Sequence, residues 1–347
     1  MPEFPAAVLR APGLHPAREF GPFGGSVRTL ERVRERMVQT NGVTLRVTEA
    51  GEPGAPVVVL CHGFPELAYT WRHQVTALAD AGFHVLAPDQ RGYGGSDRPE
   101  SVDVYNVAEL SADVVGLLDS EICGGADTAA LIGHDFGAVV AWGAPLLHPD
   151  RFWAVGGLSL PPVPRPRVPT TQAFRRVFAD RFMYILYFQE EGPADAELDR
   201  DPATTFRRLF AMTTTGAEMV GDAGPQGFLD RIPEPGSLPS WISQEDFDVY
   251  VDEFTRGGFT APLNWYRCFD LNWELTANPP APTITVPALF IGGTDDATLA
   301  YTPRDRACEV VTGEYREVMI DGAGHWLTEE RPDEVSRVLV DFLTPLR

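Results

Sequence analysis

The 347-residue chain contains no lysine; its 28 basic residues are all arginine. A Schiff-base lysine, a lysine general base and a phosphate-binding loop built on lysine are therefore excluded. Cysteine is scarce as well. Cys61, Cys123, Cys268 and Cys308 show no short paired spacing. This argues against a disulfide framework or a zinc site, and for a reducing, cytoplasmic setting. No apolar run approaches the roughly 18 residues of a membrane helix, and the N-terminus lacks the apolar core of a secretory signal. Positive charge is outweighed: 49 acidic residues leave a net charge of −21. Such a field repels nucleic acid and anionic membranes, which bind through neutralisation of phosphates. What is present is an ordinary globular composition, 44% hydrophobic and 22% charged, over a length that suits an elaborated α/β domain.

Residues 1–36 are rich in Pro, Gly and Arg. They read as an irregular extension ending in a short helix near Val27–Arg36, either loosely ordered or strapped over the core. From Met37 the pattern is regular. Asn41-Gly42 between two apolar stretches is a two-residue hairpin signal. Val57–Cys61 is a continuous β-branched run, as for a strand buried on both faces. A helix near Trp71–Ala81, a strand at Val85–Ala87, a helix at Val107–Leu118 and a strand near Ala154–Leu160 follow. This alternation predicts a mostly parallel sheet covered on both faces by helices. A proline cluster, Pro161 to Pro169, then interrupts it. Residues from about Thr170 to Asn278 read as helices without strands, with Ser243 as an N-cap. After Pro279, Pro280 and Pro282 the strand pattern resumes at Pro287–Gly292 and Glu317–Ile320, and a helix covers Pro332–Leu343. The expected organisation is thus an extension at 1–36, a core at 37–160 and 283–347, and an inserted all-helical lid at 161–282.

The most informative stretch is Ala129–Trp142. An apolar strand reaches Gly133-His134-Asp135-Phe136-Gly137, and a helix-compatible run begins at once. A turn this sharp tolerates only small residues two positions either side of its tip, which is the logic of the nucleophile elbow. The tip carries a carboxylate, Asp135, where an esterase carries Ser. In chain order an acid after a late strand and a histidine after the last one would complete the set. Asp295 or Asp296 and His325 stand there, just past strand ends, where α/β sheets place their sites. Spacing alone does not separate Asp295 from Asp296.

These segments resemble the epoxide hydrolases of the α/β-hydrolase superfamily, of the soluble bacterial type with an Asp nucleophile. The resemblance is carried by His62-Gly63-Phe64-Pro65-Glu66 with Trp71-Arg72-His73-Gln74, by Asp89–Ser96, by the elbow, and by Gly322-Ala323-Gly324-His325-Trp326. Two lid motifs complete it, Phe182–Gln189 and Pro262–Arg267. It spans Met37 to the C-terminus and implies an eight-stranded α/β-hydrolase fold. It makes Asp135 the nucleophile, His325 the base, Asp296 its orienting acid, and Tyr184 and Tyr266 the epoxide-activating phenols, with Tyr187 one helical turn away from Tyr184. The oxyanion donors would be the backbone N–H groups of Phe64 and Phe136, with a cis Phe64–Pro65 bond. Trp71, Trp265, Phe182 and Trp326 are expected in the substrate pocket.

The chemistry fits these groups. A carboxylate attacks an sp3 carbon without first losing a proton, which leaves His325 free to activate water. A small apolar epoxide and water are the partners this implies, without metal or cofactor; a homodimer is compatible with the sequence. Haloalkane dehalogenation uses the same carboxylate logic, but relatives with that activity commonly place Trp after the nucleophile, where this chain has Phe136. Fluoroacetate-type relatives place Arg there. A carboxylesterase would need Ser at position 135. A non-catalytic binding member is the remaining alternative.

Overall fold

A computed structural model describes residues 33–212, 219–277 and 282–347. Its strands are β1 (Arg34–Thr40), β2 (Val43–Ala50), β3 (Val57–Cys61), β4 (His84–Pro88), β5 (Ala129–His134), β6 (Phe152–Leu158), β7 (Arg181–Met183), β8 (Val220–Asp222), β9 (Ala288–Gly293) and β10 (Tyr315–Ile320). Eight form one sheet in the order β1-β2-β4-β3-β5-β6-β9-β10. The first pairings, β1 with β2 and β2 with β4, are antiparallel, and the rest are parallel.

The local causes are legible. Asn41 and Gly42 both take positive φ, 38° and 76°, the left-handed pair a two-residue hairpin needs, so Thr40 pairs with Val43. Side chains alternate across a strand. In β3, Val57, Val59 and Cys61 enter one hydrophobic cluster while Val58 and Leu60 enter another. The helices Arg72–Asp80 and Pro332–Leu343 contribute to the second cluster, with Val75, Leu78, Val338 and Leu339. The helices Val107–Asp119 and Phe136–Leu147 contribute to the first, which continues into the segment between β6 and β9. The Ser243 cap is made, its hydroxyl accepting from Asp246 N–H, and the structure adds another at Asn106, which accepts from the N–H groups of Ala108 and Glu109.

The structure corrects two expectations. The lid is not all-helical: β7 and β8 pair antiparallel, Met183 opposite Val220. Three-residue strands are too short to carry a readable period. Nor does a helix reach Arg36. Arg34–Arg36 extend β1, opposite Glu49, Thr48 and Val47, and the Arg36 guanidinium bonds Glu49 at 3.1 Å. Residues 27–32 of that expected helix, like the hinge residues Pro279 and Pro280, lie outside the described residues.

At the centre, β5 ends in Asp135 and the next helix begins at Phe136. Asp135 has φ 49° and ψ −119°. The flanking glycines allow it. A Cβ on Gly133 would lie 2.0 Å from the Gly137 carbonyl oxygen, and one on Gly137 would lie 2.1 Å from that of Cys61. Both neighbours are backbone and cannot swing away. Gly137→Ala is therefore expected to lower the unfolding free energy by about 1–3 kcal/mol, the cost typical of overpacking, in urea denaturation. Wild-type stability in that variant would mean that the close approach is slack.

Candidate active site

The strained turn lifts the Asp135 carboxylate off the carboxyl end of β5. Its Oδ1 accepts the Phe64 N–H at 2.9 Å, and the Phe136 N–H also bonds the carboxylate. Phe64 follows β3 and precedes a cis bond to Pro65. Gly63 must be glycine for this approach: a Cβ there would sit 2.5 Å from the Asp135 Cβ. The other oxygen, Oδ2, faces His325 Nε2 at 3.7 Å.

His325 lies beyond β10. Its Nδ1 is 3.3 Å from both oxygens of Asp296. Asp296 also accepts from the Thr298 N–H and hydroxyl, at 2.9 and 2.7 Å. Of the two acids after β9, it is Asp296 that meets His325; Asp295 is exposed and bonds the Thr294 hydroxyl.

A second pair lies behind the first and was not anticipated as functional. His134 is fully buried, with Nδ1 2.8 Å from Glu66 Oε2 and Nε2 2.8 Å from the carbonyl oxygen of His325. Both partners are acceptors, so both ring nitrogens carry hydrogen and the ring is an imidazolium. Glu66 also accepts the Gly63 N–H and the Thr70 hydroxyl. The Ser159 hydroxyl donates to the same His325 carbonyl at 3.0 Å. The signal in the sequence is the presence of Glu66 and His134 in the strand-end motifs that also hold Phe64 and Asp135.

The electrostatics follow. Burial alone would lower the proton affinity of His325, but the Asp296 carboxylate, then Asp135 and Glu66, raise it to about 9. Asp296 is held below its ordinary value because His325 and the Thr298 donors outweigh its burial. Glu66 falls to about 2, since the charge and hydrogen bond of His134 outweigh burial. Asp135 stays above its ordinary value: burial exceeds the help from His325, His134 and the two backbone donors. It is a poorly solvated carboxylate.

Tyr184 and Tyr266 hang over Asp135 from the lid, ring centroids 6.1 Å apart, with their hydroxyls hydrogen-bonded to each other. Burial, with neighbouring negative charge, raises both phenols above their ordinary value, so they remain proton donors. Their helices are tied together: Gln189 donates to the Tyr266 carbonyl at 2.9 Å, and Arg267 to the Phe188 carbonyl at 3.2 Å. Tyr187 points elsewhere, its hydroxyl bonded to Glu197. Glu197 in turn accepts the N–H groups of Phe228 and Leu229, and the Phe228 ring stacks on Tyr184 at 5.5 Å.

Asp135 stands at the waist of a two-lobed cavity. The smaller lobe, about 220 Å³, is lined by His325, Asp296, Trp326 and Glu330. The larger, about 570 Å³, is lined mainly by apolar side chains such as Leu146, Phe174, Phe178, Ile185 and Phe269. Asp135, Tyr184 and Tyr266 border both.

Of the four aromatic residues expected in the pocket, only Trp326 lines it. Trp71 is fully buried in the cluster on the other face of the sheet. Trp265 is buried against Phe136 at 5.1 Å and Tyr93 at 5.3 Å, and its indole N–H bonds the Arg91 carbonyl. It fastens the helix that carries Tyr266. Phe182 packs under the Arg231 guanidinium at 3.9 Å and beside Tyr187. Among the described residues no group of three or more His, Cys, Asp or Glu could hold a metal ion.

A doubly covered, mostly parallel sheet with an elbow at its centre and an insert over its carboxyl edge is an α/β-hydrolase architecture. The family model described as the alpha/beta hydrolase family matches residues 58–338. The chain is 61% identical over 321 residues to epoxide hydrolase A of Mycobacterium tuberculosis, covering 90% of this chain and 98% of that protein. It is 36% identical over 324 residues to epoxide hydrolase 3 of Siraitia grosvenorii, covering 90% and 99%. The crystal structure of epoxide hydrolase A from Mycobacterium thermoresistibile superposes with a TM-score of 0.87 at 57% identity, covering 90% and 98%. The chain belongs to the epoxide hydrolases of the alpha/beta hydrolase family.

The raised His325 has consequences that can be measured. Its folded value, about 9, exceeds its ordinary 6.5. The stability it contributes is therefore complete below about pH 6.5 and is lost as pH rises through 9. Part of the shift comes from the Asp135 charge, so Asp135→Asn is expected to lower the pH at which the His325 ring titrates by NMR. An unchanged or higher value would mean that Asp135 does not bear on that imidazole.

Proposed function

We propose that the protein converts an apolar epoxide to a vicinal diol through a covalent ester on Asp135. One observation carries this reading: Asp135 and two phenol donors, Tyr184 and Tyr266, face each other across the waist of both cavity lobes. A carboxylate opposite a pair of hydroxyls suits a strained C–O bond, whose carbon is attacked from one side while its oxygen gathers charge on the other.

In the first step Oδ2, which bears no bond from the Phe64 N–H, attacks the epoxide carbon. The ring C–O bond breaks, and the developing alkoxide takes a proton from the tyrosine pair. Donors placed where charge develops are worth about 3 kcal/mol each. Oδ1, already bound by Phe64 N–H, becomes the ester carbonyl oxygen. In the second step His325 Nε2 takes a proton from water, and the resulting hydroxide attacks Cγ. The negative charge falls on Oδ1, between the N–H groups of Phe64 and Phe136. Collapse expels the diol oxygen, which takes the proton from His325. Ionisation of the regenerated Asp135 supplies the proton that restores the tyrosine.

The high proton affinity of His325 at rest is compatible with a base. It depends in part on the charge of Asp135, and esterification removes that charge. With that charge gone, the imidazolium releases its resting proton to solvent, and His325 is neutral when a base is needed; it regains a proton from solvent once Asp135 is ionised again. Asp296 orients it through Nδ1, and Glu66–His134 hold its backbone from behind.

Dehalogenation is the weaker reading. Phe136 offers a halide no indole N–H, and its ring is packed among Trp265, Tyr266 and Phe269. In this reading residues up to 160 and from 283 form the core, beginning at Arg34, and 161–282 form the cap; the pairing of β6 with β9 across that insert supports the division. No helix among the described residues is long and apolar enough to cross a membrane. We place the enzyme in the cytoplasm, on its free cysteines and acidic charge.

A single turnover of styrene oxide in heavy-oxygen water is expected to leave label in Asp135 rather than in the diol. Label appearing directly in the diol would remove the ester from the mechanism. Replacing both Tyr184 and Tyr266 with Phe should reduce turnover at least about 100-fold, whereas Tyr187→Phe should act far less. A reversal of that order would move the donor assignment to Tyr187.

A further inference from the structure

Among the described residues, the larger lobe has one cationic side chain in its lining, Arg165. The side chain is exposed and held in a fixed pose. Its Nε and Nη2 donate to the Trp273 carbonyl at 3.0 and 2.8 Å, and its guanidinium lies 4.0 Å over the Trp273 ring. Trp273 is itself anchored, its indole N–H bonding the Pro166 carbonyl at 2.7 Å. Nη1 has no protein acceptor among the described residues.

The surroundings are unusual for this chain. Residues 161–179 hold Arg165, Arg167, Arg175 and Arg176 and no Asp or Glu, in a protein of net charge −21. All four arginines are exposed, and none pairs with a carboxylate among the described residues. Exposed apolar side chains, Val163, Val177 and Tyr301, also line this lobe. A mostly apolar cavity therefore reaches the surface beside an arginine-bearing segment, whose nearest carboxylates are Asp180, next in the chain, and Asp270, which is engaged by Thr171. The smaller lobe has Asp295, Asp296 and Glu330 in its lining, with His325 as its cationic group among the described residues.

Building on the epoxide reading, we propose that Arg165 is a specificity residue that binds an anionic oxygen group, such as a carboxylate, at the far end of the substrate's apolar chain. The chain lies in the larger lobe, with the epoxide at Asp135 and the smaller substituent toward His325. An anionic end is repelled by the carboxylates of the smaller lobe and by the net charge of the protein, so the local arginines both orient it and raise its encounter rate. The planar guanidinium, already fixed by Trp273, loses little freedom on binding. An exposed charge pair is worth at most about 1 kcal/mol, which sets the expected effect at about fivefold.

The test compares two substrates that differ only at the chain end: an aliphatic epoxide with a terminal carboxylate and its primary amide, with styrene oxide as a third, neutral substrate. In the wild type at low salt, kcat/KM for the acid is expected to exceed that for the amide about fivefold, chiefly through KM. That preference should shrink in about 0.5 M salt, where exposed charges are screened. Arg165→Met should bring the ratio to about one, and Arg165→Lys should retain part of it, separating charge from packing on Trp273. Turnover of styrene oxide with no preference for the acid, or a preference that survives in Arg165→Met, overturns the role of Arg165 alone. Failure of the wild type to open any of the three would instead overturn the epoxide reading on which it rests.

Discussion

The left-handed backbone at Asp135 is the constraint on which the rest of the site depends. A non-glycine residue in that conformation costs on the order of 1–3 kcal/mol and persists only where its surroundings over-determine it. Here β5 is pinned between β3 and β6, and the following helix starts so close that Gly133 and Gly137 contact backbone directly. The turn cannot relax without separating strand from helix. In return it holds one carboxylate where Phe64, His325 and the lid tyrosines converge from distant parts of the chain. A shift of the turn would move the nucleophile relative to all of them at once.

Charges alternate through the site: Glu66, His134, Asp135, His325 and Asp296. An isolated buried charge is costly, whereas a paired and hydrogen-bonded one is tolerated. Each member of this row is compensated by its neighbours. The same coupling makes the site responsive, because loss of one charge changes the proton affinity of the next. Formation of an ester on Asp135 is such a loss, so the proposed reaction itself would prepare His325 for its step.

The lid applies a different kind of control. Tyr184 and Tyr266 are fixed by aromatic packing with Phe64, Phe188 and Phe228 and by the backbone bonds of Gln189 and Arg267 between their helices. Glu197 secures Phe228 behind Tyr184 and occupies the hydroxyl of Tyr187. One carboxylate thus separates two chemically identical phenols three residues apart. The two lobes then divide the cavity by character. The one that adjoins His325 sets several carboxylates among apolar side chains, and the more uniformly apolar one opens toward the arginine-bearing segment.

How much of this was legible follows from where each feature is encoded. The hairpin at Asn41-Gly42, the buried β3, the helix caps and the elbow are main-chain conformations, set by φ preferences, small side chains and short-range hydrogen bonds. The sequence by itself therefore determined the α/β order, the insert and the identity of the residue at the elbow. Tertiary structure decided which side chains meet. Asp295 and Asp296 are equivalent by spacing, and so nearly are Tyr184 and Tyr187; partners from other segments, His325 and Glu197, separate them. Trp71, Trp265 and Phe182 have the same local signature whether they line a cavity or fill a core, and packing sent all three away from the cavity. The short pair β7 and β8, and the continuation of β1 to Arg34, exist because a partner strand is present. Local sequence specifies how the chain turns. The direction in which a side chain finds its partner depends on residues far along the chain, and only the folded arrangement supplies them.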